Sequence, residues 1–178
     1  MRRLNLPAIL LTAALALCTT SLTVTMTPSV ASAQDSGEQA LLKALGGAMA
    51  IEAYTAAGYI GALADGFQAK TYTAQYVKVR LGGLGGGLGA SIDQVDGLLS
   101  SGSLSPADKQ ALTGLKGTLV DLKKQTDLLG KYVDTKNAKT AKQFRDLRAS
   151  TWKSIVAQLG LGKSGPMLEP GGEKLGVK

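Results

Sequence analysis

The chain has 178 residues, with 20 lysines and arginines against 13 aspartates and glutamates, one cysteine and no histidine. The missing histidine excludes an imidazole base, a Ser-His-Asp or Cys-His nucleophile, and His-ligated zinc or haem. A single cysteine excludes an intrachain disulfide and a thiolate cluster, and the length suits one domain with a real core.

The N-terminus reads as a Sec-type export signal. Arg2 and Arg3 supply the positive start, residues 6–17 form a short apolar run, and Ala31-Ser32-Ala33 gives the small-x-small cleavage pattern before Gln34. The run is too short to span a bilayer. Asn5 interrupts a twin-arginine pattern. Leu15-Ala16-Leu17-Cys18 resembles a lipobox, but bulky Leu17 stands where a small residue belongs, so lipidation of Cys18 is the minor alternative. Cleavage after Ala33 removes Cys18, and a cysteine-free domain must then hold together by packing. The expected organisation is a signal over 1–33, a helical domain over 34–160 and a tail over 161–178.

Punctuation divides the domain into four helices. Ser36-Gly37-Glu38-Gln39 is a capping box opening a helix over 37–64, and Asp65-Gly66-Phe67-Gln68 a weaker acidic one opening 67–100. Ser105-Pro106-Ala107-Asp108 places a cap, a first-turn proline and a first-turn acid before a helix over 106–134. Asn137 caps the last, over 138–160. Val77, Leu81, Leu84, Leu88, Ile92, Val95 and Leu99 form one heptad seam; Leu112, Leu115, Leu119, Leu122, Thr126, Leu129 and Val133 form another. Ala141, Phe144, Leu147, Trp152, Ile155 and Leu159 make a broader face. No stretch alternates with period two. Short connections make neighbours antiparallel, so the prediction is an all-α, up-down-up-down four-helix bundle with a flexible C-terminal tail containing Pro166 and Pro170.

Glycine is the anomaly. Six glycines fall between Leu81 and Gly89, and each costs a helix interior about 0.8–1.0 kcal/mol against alanine. Folding the first two helices back about residue 65 sets Gly46 and Gly47 level with residues 82–85, and with the small-residue ridge of Gly82, Gly86 and Ala90 this predicts a tight glycine-lined helix crossing. The same register sets Glu52 level with Lys78 and Tyr54 with Tyr76. That predicts a Glu52–Lys78 or Glu52–Arg80 pair or, on a sharper reading, an inter-helix polar pocket.

Charge is uneven. Residues 34–105 carry 4 basic and 6 acidic groups, whereas 106–178 carry 14 and 7. The basic excess gathers at Lys136, Lys139, Lys142, Arg145 and Arg148, a candidate docking patch for an anionic surface or an acidic partner. Nucleic acid does not suit an exported chain whose basic cluster has no interleaved aromatics. Residues 157–164 imitate a phosphate-binding loop, but a helix precedes them where a strand is required. No cofactor or metal site is predicted; a di-iron bundle needs several glutamates and Glu-x-x-His.

The functional expectation is an exported, non-enzymatic binding or scaffolding bundle in the bacterial envelope or outside the cell, with an unknown protein or envelope partner. Two alternatives stand: a membrane-active protein using its glycine-rich helices, and a ligand-sensing bundle with a pocket at Glu52, Tyr54, Tyr76 and Lys78. Any apolar seam left uncovered favours a homo-oligomer.

Overall fold

The computed structural model describes residues 30–102, 104–160 and Leu175, with side chains from Gln39 onward. The chain divides into two units, residues 1–37 and 38–178; the first includes the beginning of the first helix, the second the body of the bundle. Helices α1 (Val30–Gln68), α2 (Ala74–Ser100), α3 (Pro106–Thr135) and α4 (Ala138–Gln158) follow one another, and no strand occurs among the described residues. The all-α four-helix bundle legible in the seams is what the chain forms. The predicted signal lies outside the described residues up to residue 29, and Val30 to Ala33 are helical.

Two of the predicted helix starts match. Ser105 caps α3 by accepting from the Asp108 amide, with Pro106 in the first turn, and Asn137 caps α4 by accepting from the Lys139 and Thr140 amides. The other two differ. Ser36 lies inside α1, and Asp65 opens nothing, because α1 runs on through Gly66 to Gln68. The helix stops there as the Thr71 and Tyr72 amides return to the Gly66 carbonyl at 2.8 and 3.0 Å, with Lys70 left-handed at φ 61°. Thr73 then caps α2 by accepting from the Tyr76 amide. Gly66 is required where it stands: a Cβ there would run into the Tyr72 ring.

Contacts fix the topology. Lys78 pairs with Asp134 and Lys116 with Asp96, so α2 and α3 run antiparallel. Gln158 donates to the Gly114 carbonyl and the Thr118 hydroxyl, joining the end of α4 to the beginning of α3. Tyr54 stacks on Trp152 at 5.3 Å, and Gly61 faces Arg148, which closes α1 against α4. At the other end Phe67 meets Tyr132 edge-on at 6.2 Å.

The core is built on α3, whose whole predicted seam from Leu112 to Val133 is buried. Ile60, Leu63, Val77, Leu88, Val95, Phe144 and Ile155 complete it, each buried to within 1%. Burying one such side chain contributes about 1.5–3 kcal/mol. Two long polar residues intrude. Gln125 is 1% exposed and Arg148 5%, and the register set by Gln158 puts them level with each other. Gly61 makes room, since a Cβ there would strike the Arg148 guanidinium. Leu175 is also buried, and its carbonyl accepts from Arg145 Nη1. The rest of the predicted flexible tail lies outside the described residues.

Candidate functional site

The glycine-rich run is continuous helix, but the predicted tight crossing is not there. A Cβ at Gly46, Gly47, Gly82 or Gly86 would meet nothing within 4 Å. The backbone is closely approached elsewhere, at Gly61, at Gly66 and at Gly85, where a Cβ would sit 3.3 Å from Thr126 Oγ1. Gly82, Gly85 and Gly86 instead floor a groove of about 580 Å³ between α2 and α3. Its rim carries the Lys78–Asp134 pair at 3.0 Å and the Lys123–Asp127 pair at 3.8 Å. Gly46 borders a smaller cleft of about 310 Å³ against Leu112, Leu115 and Gln158.

The four residues of the predicted polar pocket are not brought together. Ser91 Oγ donates to both oxygens of Glu52, at 2.8 and 3.1 Å. Ser91 is thirteen residues beyond Lys78, about 20 Å along α2 at 1.5 Å per residue. Lys78 belongs to Asp134, Tyr54 to Trp152, and Tyr76 stacks on Tyr72 at 4.9 Å. The correction is one of register: the hairpin turns at residues 69–73, not at 65, and every level partner moves along α2 accordingly.

The basic cluster is likewise dispersed. Arg148 is buried and cannot belong to a surface patch. Arg145 is half-buried and tied to Leu175. Lys142 pairs with Asp146 at 2.6 Å. Lys136 ends α3 with its ammonium 3.5 Å from the Phe67 ring centre and bonded to the Val133 carbonyl. Its pKa is nevertheless lowered, by burial, with Asp134 acting the other way. Lys139 is exposed.

The surface that sequence reasoning missed is the outer face of α1 and α2. Among the described residues the exposed large apolar side chains are Leu41, Ile51, Tyr59, Tyr76 and Val79, all on these two helices. On α1 the exposed positions Leu41, Ala44, Ala48, Ile51, Thr55, Gly58 and Ala62 recur at alternating spacings of three and four, a second seam opposite the buried one. Val79, Gly83, Gly86 and Ala90 repeat that rhythm on α2. The signal was present as a helix apolar on two sides, masked because alanine and glycine score weakly as hydrophobes.

Charge on this face is sparse. Glu52 is the only ionisable charge between Lys43 and Asp65, and Arg80 the last before Asp93. The Arg80 guanidinium lies 5.1 Å from the Tyr76 ring centre, and its pKa is raised, chiefly by a hydrogen bond to Tyr76, then by charge interaction with Tyr76 and Tyr59. Neither Glu52 nor Arg80 has an ion-pair partner among the described residues; the five surface ion pairs lie on α2, α3 and α4.

Among the described residues no three histidine, cysteine, aspartate or glutamate side chains gather as a metal site, and no helix is long and apolar enough to cross a membrane. No family model matches the chain, no curated protein matches its sequence, and no solved structure matches it.

Proposed function

We propose that the chain is an exported, non-enzymatic binding or scaffolding bundle that works through the outer face of α1 and α2. The observation carrying this reading is where the exposed apolar groups gather: Leu41, Ile51, Tyr59, Tyr76 and Val79 stand on α1 and α2, whereas every ion pair among the described residues draws on α3 or α4, with Lys78 and Asp96 the α2 members. Large apolar side chains left exposed on two neighbouring helices are costly to keep in water and mark an interaction surface. Export is read from Arg2-Arg3, the apolar run over 6–17 and the Ala31-Ser32-Ala33 pattern. The dispersal of Lys136, Lys142, Arg145 and Arg148 argues against a docking role for the start of α4.

The test is site-specific photocrosslinking in the producing cell. A photoreactive side chain at Ile51 or Val79 is expected to give defined adducts, and one at Lys139 or Lys153 none. Adducts from Lys139 alone, or the same adducts from all four positions, would overturn the assignment. N-terminal sequencing of the accumulated protein tests export, with Gln34 expected first.

A further inference from the structure

The α1/α2 face carries a charge pattern of its own. The Glu52–Ser91 bond sets the level of α1 against α2. Arg80 stands eleven residues before Ser91, about 16 Å along the helix axis. The face therefore carries one negative and one positive charge near opposite ends of a short, otherwise uncharged stretch. Midway between their levels lie Gly58 on α1 and Gly86 on α2, both exposed, and a Cβ at either would meet nothing.

Such a surface is complementary to itself. A twofold axis parallel to the helices would set Glu52 opposite Glu52 and Arg80 opposite Arg80, burying like charges together. A twofold axis perpendicular to the helices, passing through the Gly58/Gly86 level, reverses one copy. Glu52 of each copy then comes level with Arg80 of the other, and Ile51 with Val79. Gly58 and Gly86 add no side chain at that level, and the exposed Tyr59 ring stands beside Gly58. Isologous twofold pairing is also the commonest form of self-association.

We propose that the outer α1/α2 face is the interface of an antiparallel twofold dimer of this chain, in which Glu52 of each copy pairs with Arg80 of the other about the Gly58/Gly86 level. The proposal rests on the reading of this face as the binding surface and commits it to a second copy.

Sedimentation velocity on the full chain over about 1–100 μM tests it. A concentration-dependent monomer–dimer equilibrium is expected. Arg80→Glu alone and Glu52→Arg alone should each weaken it by about tenfold or more, while the double variant should recover most of the loss. Thermal melts confirm that each variant folds. A monomer at every concentration, or charge reversals that neither weaken nor rescue, would overturn the dimer. Vesicle binding abolished by Val79→Glu in a chain that stays monomeric would also overturn it, in favour of a lipid surface. Crosslinks from Val79 to a different protein, with a monomeric purified chain, would sink the dimer and leave the binding-module reading standing.

Discussion

Ser91 Oγ reaches both carboxylate oxygens of Glu52, and through that fork the otherwise uncharged middle of α1 is keyed to one position on α2. Ser91 is nearly buried and Glu52 exposed, so removing the hydroxyl costs a charge-assisted bond while the carboxylate regains water. Ser91→Ala is expected to lower stability by about 1 kcal/mol in urea denaturation. Glu52→Gln, which keeps an acceptor, should cost less. Equal losses would mean the bond is not what the two changes share.

Glycines of this bundle fall into two physical kinds, and alanine distinguishes them. At Gly61 an added Cβ strikes the buried Arg148 guanidinium, so Gly61→Ala should destabilise by about 1–3 kcal/mol through overpacking. At Gly117, on the exposed side of α3, the Cβ enters open space, and Gly117→Ala should stabilise by about 0.8–1.0 kcal/mol. The opposite signs are read from the midpoints of two denaturation curves.

Gln125 is 1% exposed, and neither end of its amide has a hydrogen-bond partner among the described residues. An unsatisfied buried polar group costs about 1–3 kcal/mol, so Gln125→Leu should raise stability by an amount in that range. A destabilised Gln125→Leu would place a bound water or side-chain partner at that amide.

Lys70 holds a left-handed conformation at the stop of α1 and is exposed. Glycine adopts that region freely, whereas a side chain there costs about 1–2 kcal/mol. After allowing for the extra freedom glycine gives the unfolded chain, Lys70→Gly should gain about 0.5–1 kcal/mol. Lys70→Ala, which keeps the strain, should gain little.

What could be read from the sequence was whatever depended on neighbours a few residues apart. The α3 seam, the Ser105–Pro106 start and the Asn137 cap are local patterns, and each stands as predicted. The candidate site was not legible, because it depends on where the α1–α2 hairpin turns. Gly66 looks like a helix breaker, yet it sits within α1 because Tyr72 needs the space a side chain would fill. One extra turn of α1 and a five-residue connection then separate Glu52 from Lys78 and give it to Ser91. Arg148 misled for a different reason: its charge suggested the surface, although Phe144 at i−4 and Ile155 at i+7 share its face, and Gly61 on another helix creates the space that buries it.

The six glycines between Gly82 and Gly89 leave α2 poorer by about 5–6 kcal/mol in intrinsic helix preference than an alanine segment would be. Such a stretch cannot nucleate alone and takes helical form only against a template. The well-capped α3, with its fully buried seam from Leu112 to Val133, is that template, and the middle of α2 is expected to condense onto it late. In native-state hydrogen exchange the amides of 82–89 should accordingly open before those of 112–129. The glycine-rich part of the outer α1/α2 face is thus expected to be the last part of the bundle to form and the first to open.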